Sequence, residues 1–253
     1  SEDEAHEGVT SKIISYYKGE EIIYLGPDEN MTDDLITWVS EQAKRRGYKY
    51  ANAFISSKSS LGINHKKYGV TSEGLHVYVE HILKHLNLDI ERKGFTVKMT
   101  GGPDGDVAGN ELKILHRSYG KKCKIVAIAD GYGAAYDSKG LNWDELLRLI
   151  DENKSICFFN KKKLSKISDS FVIDISSAKN INRRNNLHAL VKADIFIPAG
   201  GRPYTVNDSN VRKFINDKGN PSCYAIIEGA NIFFTSGARK RLQSSGVLMV
   251  KDS

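Results

Sequence analysis

Gly94-Phe95-Thr96-Val97-Lys98-Met99-Thr100 runs into Gly101-Gly102-Pro103-Asp104-Gly105-Asp106-Val107-Ala108-Gly109, and the reading of this stretch decides the fold. A β-branched run feeds a glycine-rich turn, and the turn feeds an apolar helix from about Val107 onward. Glycines let a backbone bend tightly and approach a ligand closely, while the free N–H groups of a helix start favour an anion such as a pyrophosphate. The next apolar run, Lys124-Ile125-Val126-Ala127-Ile128-Ala129, ends at Asp130. That carboxylate stands about 25 residues beyond Gly105, near where a dinucleotide fold places its ribose ligand. The spacing departs from G-x-G-x-x-G, because Pro103 and Asp104 lengthen the turn and Ala108-Gly109 ends it. On these residues alone two readings stand: a dinucleotide site, or an ordinary βαβ unit with a glycine-rich loop.

Upstream, Ser1 to Thr10 is a polar lead-in, and Ile13-Ile14 and Ile22-Ile23-Tyr24-Leu25 are strand-like. Thr32 is placed to cap a helix over Asp33 to Arg46, whose Leu35, Ile36, Val39 and Ala43 form an apolar stripe with acids leading and bases trailing. After a Ser-, Lys- and Gly-rich loop from Ser56 to Gly69, Thr71 or Ser72 caps a second helix with Leu75, Val79, Ile82, Leu83 and Leu86 on its buried side. Downstream strands are expected at Phe171–Ile173, Ile195–Pro198, Tyr224–Ile227 and Val247–Val250. Helical patterns fall near Trp143–Ile150, Asn186–Val191, Ser209–Asn216 and Ala238–Gln243. Alternation of strands and helices implies an α/β fold, a mostly parallel twisted sheet with right-handed crossovers and ligands at the carboxyl ends of its strands. The expected division is a lead-in over 1–19, a segment bordering a cleft over 20–92, and a dinucleotide-binding core over 93–253.

The 253 residues carry 37 Lys+Arg against 31 Asp+Glu, a net charge of +6, with basic clusters at Lys121-Lys122-Cys123-Lys124 and Lys161-Lys162-Lys163. Each cluster borders an apolar run and no aromatic set interleaves with it, so a solvated strand entrance is expected and no nucleic-acid partner. Cys123, Cys157 and Cys223 lack metal-ligand spacing and point to free thiols in a reducing compartment. Apolar runs are strand-sized, so no membrane partner is expected. A cytoplasmic location is the expectation, with organellar targeting left open by whatever precedes Ser1. His81 and His85 are four apart, yet neither a general-base glutamate nor a third ligand accompanies them, and no metal site is assigned.

Four separated segments together resemble the large NAD-specific glutamate dehydrogenases. They are Tyr24-Leu25-Gly26-Pro27-Asp28-Glu29-Asn30-Met31; Ser60-Leu61-Gly62-Ile63 with Tyr68-Gly69-Val70-Thr71-Ser72-Glu73-Gly74; Met99 to Asn110 continued by Ala129-Asp130-Gly131-Tyr132-Gly133; and Ile197-Pro198-Ala199-Gly200-Gly201-Arg202-Pro203 with Ile227-Glu228-Gly229-Ala230-Asn231 and Thr235. The resemblance covers roughly residues 20–253 and implies a Rossmann-like NAD-binding domain with helices on both faces. It implies that Asp28 is the catalytic aspartate, shuttling protons among water, ammonia and the imino intermediate. Thr71 matches the threonine near the nicotinamide amide, and Gly105, Asp106 and Val107 match the turn over the pyrophosphate, which Gly102 helps to bend. Asp130 matches the acid of the adenosine ribose and favours NAD over NADP. Ala199 and Gly200 match the backbone turn under the nicotinamide ribose, and Asn231 the amide that holds nicotinamide or substrate.

The implied activity is reversible oxidation of L-glutamate with NAD and water to 2-oxoglutarate, ammonium and NADH. The family segment bearing the substrate lysines and the catalytic lysine has no match in this chain. The resemblance therefore implies a coenzyme domain that is inactive alone, with a substrate domain elsewhere and an oligomer of identical chains as the whole protein. A leucine or phenylalanine dehydrogenase, and a nucleotide-sensing module without turnover, are the alternatives.

Overall fold

The computed structural model describes residues 22–27, 31–55, 64–166 and 169–251, which fall into two compact units divided between Tyr68 and Gly69. In the first unit, Thr32 caps helix α1 (Asp33–Arg45), its hydroxyl accepting from the Leu35 N–H at 3.4 Å. Ile36, Phe54 and Ile55 form a small core beside this helix. The strand-like run at Ile22–Leu25 comes down to an isolated parallel bridge from Leu25 to Ile55, with the Leu25 N–H donating to the Phe54 carbonyl at 2.7 Å. A one-turn helix α2 (His65–Tyr68) ends the unit. Ile13-Ile14, Asp28 and Ser60 to Ile63 lie outside the described residues.

The second unit opens with helices α3 (Val70–His85) and α4 (Ile90–Lys93), followed by strand β1 (Phe95–Thr100). Beyond it come α5 (Asp106–Tyr119), β2 (Cys123–Ala129), β3 (Gly133–Tyr136), α6 (Trp143–Asp151), β4 (Phe171–Asp174), α7 (Ala178–Leu190), β5 (Ile195–Pro198), β6 (Ala225–Ile227), α8 (Ser236–Ser244) and β7 (Leu248–Val250). The seven strands form one sheet in the order β4-β3-β2-β1-β5-β6-β7. β2, β1, β5, β6 and β7 pair in parallel, and β3 alone runs against its neighbours. Chain order reverses between β1 and β5, which makes their carboxyl ends the switch point where such sheets leave a crevice.

Side chains alternate along the central strands, so the sheet has two buried faces. Phe95, Val97, Met99, Ile195, Ile197 and Ile227 pack with Leu75, Val79 and Leu83 of α3, Leu112 and Leu115 of α5, and Leu146 and Leu149 of α6. Phe196 and Ile226 face the other way, into a cluster with Leu242 of α8, while Leu187 of α7 covers Ala127 and Ala129. Helices therefore cover both faces, as expected of a Rossmann-like sheet.

Four local expectations change. β3 is a strand that the expected set lacks, because Gly133-Ala134-Ala135-Tyr136 has little intrinsic strand preference and is ordered by antiparallel pairing with β2. α7 begins at Ala178, ahead of the expected start near Asn186, with Ser177 accepting from the Asn180 N–H at 3.2 Å. The pattern over Ser209–Asn216 yields a single 3₁₀ turn, Val211–Phe214. α3 is capped by Gly69 in the left-handed region (φ 60°), not by Thr71 or Ser72. Ser72 is buried, and its hydroxyl donates to the Val107 carbonyl at 2.9 Å.

Lys98 of β1 is fully buried on the second face, its ammonium donating to the Val191 carbonyl at 2.8 Å and to Ser222 Oγ at 2.7 Å. Burial lowers its pKa to about 8 against a smaller opposing effect of Cys223. Nearby His188 is stacked among Phe196, Phe214 and Phe233, and burial, reinforced by Lys98, Arg184 and Lys213, lowers its pKa to about 3. Because the unfolded imidazole protonates near pH 6.5 and the folded one does not, stability is full above that pH and falls as the pH drops toward 3. Between pH 6.5 and 5 this should cost about 2 kcal/mol. Thermal midpoints of the wild type should therefore fall more between pH 7 and 5 than those of His188→Phe, which keeps the ring and removes the titration; parallel profiles would assign the acid sensitivity to other groups.

Candidate functional site

The turn after β1 is built from backbone. Gly101 takes φ +91°, a conformation L side chains rarely adopt, and donates its N–H to the Ala129 carbonyl at 2.9 Å. Gly102-Pro103-Asp104-Gly105 then forms a β-turn closed by the Gly105 N–H on the Gly102 carbonyl at 2.9 Å, with proline at the corner its fixed φ suits. The residues that lengthen the sequence motif are thus the two central residues of this β-turn. Gly105 is the N-cap of α5 and offers no side-chain cap. The N–H groups of the first turn, Asp106 to Ala108, precede the first helical carbonyl partner and form the positive end of a 14-residue helix at the β1–β5 switch. That end is suited to an anion.

A close approach holds the turn against the end of β2. A Cβ on Gly102 would collide with Asp130 Oδ2 and lie 2.6 Å from Asp104 Oδ1, so both carboxylates come to the α-carbon of Gly102. Asp130 is buried, and its oxygens accept from the Tyr132 N–H (2.8 Å), the Gly133 N–H (2.9 Å), the Ser155 hydroxyl (2.8 and 2.9 Å) and the Ile156 N–H (2.7 Å). An ionised carboxylate has about four acceptor sites, so four protein donors occupy its capacity. Asp130 stands where the sequence places it, and the structure adds that it ties the β2–β3 turn to the turn at Ser155-Ile156.

The opposite rim comes from the ends of β5 and β6. Ala199 donates its N–H to the Thr100 carbonyl at 2.9 Å, and the space a Cβ on Gly200 would take is occupied by the α-carbon of Gly101 at 2.8 Å. The Gly229 N–H bonds the Pro198 carbonyl at 2.9 Å, and Asn231 beyond it is exposed. This loop is anchored by Glu228, whose fully buried carboxylate accepts three hydrogen bonds of 2.8–3.0 Å from the Arg239 guanidinium on α8. Next to Asn231, Ile232 sits at φ +52° and accepts at 2.8 Å from the Tyr204 N–H, itself at φ +58°. A β-branched residue in that region is a backbone outlier, of the kind that clusters at ligand-holding loops.

The structure therefore brings Gly102, Gly105, Asp106, Val107, Asp130, Ala199, Gly200 and Asn231 to one edge of the sheet. Thr71 is exposed in the first turn of α3, beside the Ser72 that holds Val107. Sequence reading missed the Glu228–Arg239 anchor and the buried pair His76 Nδ1–Glu111 Oε1 at 2.9 Å, which pins α3 to α5 and in which burial raises the Glu111 pKa. Their local signal is weak: one arginine on a polar helix and one histidine among several.

A family model described as Glutamate/Leucine/Phenylalanine/Valine dehydrogenase matches residues 62–253. The probable NAD-specific glutamate dehydrogenase of Schizosaccharomyces pombe is 40% identical over 244 residues, covering 92% of this chain and 21% of its own length. The NAD-specific glutamate dehydrogenase of Neurospora crassa is 36% identical over 259 residues, 97% of this chain and 24% of its own. The chain thus spans less than a quarter of the length of these relatives. A glutamate dehydrogenase of Plasmodium falciparum shares the fold at a TM-score of 0.63 and 19% identity, over 96% of this chain and 48% of that one. On a family model that covers most of its length, and on relatives alike over nearly all of it, the chain belongs to the Glutamate/Leucine/Phenylalanine/Valine dehydrogenase family.

Proposed function

We propose that the chain is the coenzyme-binding part of an NAD-dependent glutamate dehydrogenase. The observation that carries this is the uncapped start of α5 behind the Gly101-Gly102 turn, at the switch point of the sheet. The cradle fits a dinucleotide: a Cβ on Gly102 would fill the space beside Asp130 and Asp104, and the helix end presents N–H donors without a capping side chain. The relatives named NAD-specific glutamate dehydrogenases support the choice of coenzyme and substrate.

NAD supplies the hydride acceptor when bound. The N–H groups of Asp106 and Val107 hold its pyrophosphate, with Gly105 leaving room for it. Asp130 borders the adenosine-ribose end and keeps the turn in place. Ala199 and Gly200 support the nicotinamide ribose through backbone, and Thr71 and Asn231 meet the nicotinamide end, Asn231 held there by Glu228 and Arg239. Asp28 moves protons between substrate nitrogen and water during oxidative deamination. The glutamate carboxylates are bound by another part of the whole protein, which works as an oligomer of identical chains.

The test is a substrate comparison on the complete enzyme. With NAD, kcat/KM for L-glutamate should exceed that for L-leucine, L-phenylalanine and L-valine by about a hundredfold or more, the discrimination expected when a polar site must pair its substrate's polar group. Preference for one of the apolar amino acids would move the assignment within the family, and absence of turnover with all four would favour a nucleotide-sensing role.

A further inference from the structure

Four non-glycine residues among those described have positive φ. Asn87 and Asn153 stand just beyond the ends of α3 and α6, where asparagine takes that conformation readily. The other two, Tyr204 at +58° and Ile232 at +52°, share one hydrogen bond, 2.8 Å from the Tyr204 N–H to the Ile232 carbonyl. That bond joins the loop after β5 to the loop after β6. Two residues beyond Tyr204, Val206 continues the junction, donating to the Phe233 carbonyl and accepting from the Thr235 N–H, both at 3.0 Å. Phe233 and Phe234 are fully buried, and a Cβ on Gly201 would run into the Phe233 ring. On the near side of Asn231, the Gly229 N–H is held by the Pro198 carbonyl at 2.9 Å, and a Cβ on Gly229 would lie 2.9 Å from the Leu75 side chain. Asn231 is thus exposed on a short span clamped at both ends. An isoleucine stays in the left-handed region only where its surroundings over-determine it.

Resting on the dinucleotide reading above, we propose that Tyr204 and Ile232 are positioning residues for the nicotinamide end of the coenzyme: their paired left-handed backbone fixes the direction of Asn231 and its spacing from the Ala199-Gly200 turn. The two loops they join are the ones on which the nicotinamide ribose and the nicotinamide amide rest in that reading. A span already held in its binding conformation is not ordered at the expense of affinity when the ligand arrives. Glycine at either position would reach the same conformation and many others, so the fixed direction would be lost. Asparagine would keep it, because it enters the left-handed region with less strain than isoleucine.

The test is calorimetric titration of the 253-residue chain with NADH and with ADP-ribose, which lacks the nicotinamide ring, alongside thermal midpoints, for the wild type, Ile232→Gly, Tyr204→Gly and Ile232→Asn. The wild type should bind NADH more tightly than ADP-ribose. Both glycine variants should lose NADH affinity by about tenfold, the worth of one hydrogen bond, and keep their affinity for ADP-ribose. Ile232→Asn should bind both ligands as the wild type does, with a midpoint no lower. Equal wild-type affinity for the two ligands, unchanged NADH affinity in both glycine variants, or a loss shared equally by NADH and ADP-ribose would overturn the assignment. So would a loss of NADH affinity in Ile232→Asn as large as that in Ile232→Gly, which would give the effect to the isoleucine side chain. Wild-type chain that binds neither ligand would instead overturn the dinucleotide reading on which the proposal rests.

Discussion

Gly102→Val should weaken NADH binding by the chain about a hundredfold or more, close to 2.7 kcal/mol. The α-carbon of Gly102 faces Asp130 Oδ2 and Asp104 Oδ1 with no room for a side chain, and neither neighbour gives easily. Asp130 would have to surrender hydrogen bonds to Ser155 and Ile156, and Asp104 sits on a turn locked by its own backbone bond. The turn shifts instead, and with it the first N–H groups of α5. Gly105→Val should do less, because its new Cβ would meet the Gly102 carbonyl at 3.1 Å from a backbone that any residue adopts (φ −74°). Titration of the three proteins with NADH checks the order wild type, Gly105→Val, Gly102→Val. Wild-type affinity in Gly102→Val would mean the coenzyme does not use this turn.

Asp28→Asn in the complete enzyme should lower kcat by about 10²–10⁴, the contribution of a positioned acid–base group, with the KM for NAD little changed. Asparagine keeps the size and most of the hydrogen bonding of aspartate and removes the titrating proton. The 253-residue chain alone should form no NADH from glutamate, because the proposed substrate-binding lysines lie elsewhere in the whole protein. Near-normal kcat in Asp28→Asn would give the proton transfer to another group, and turnover by the chain alone would end the division of labour proposed for it.

The central sheet is legible because its strands are short apolar runs bounded by glycine, proline or acid, and β1, β2 and β5 stand where those runs lie. Even the alternation of β1 is visible in Phe95, Val97 and Met99 against Thr96, Lys98 and Thr100. What Lys98 does is not, since its partners Val191, Ser222 and the rings of Phe196 and Phe214 are about a hundred residues away in the chain and a lysine in a strand ordinarily reaches solvent. The same distance hides the working of Asp130. Its place at the end of β2 follows from order and spacing, whereas its commitment to Ser155 and Ile156 depends on a second turn brought in by the fold. The cap of α3 fails for a related reason: Ser72 has the right chemistry for a local bond and spends it on Val107 of the next helix but one. Strain at Tyr204 and Ile232 leaves no trace in residue type, because neither is a residue that seeks positive φ.

On the proposed function, the coenzyme meets the backbone at the start of α5. Backbone amide NMR spectra of the uniformly labelled 253-residue chain, recorded during titration with NADH, report each N–H separately. Saturable shifts should be largest at Gly105, Asp106, Val107 and Ala108, accompanied by Gly200 and Asn231 across the β1–β5 switch, and should be much reduced in Gly102→Val. Saturable binding that leaves the start of α5 unmoved, with shifts gathered on another edge of the sheet, would contradict it.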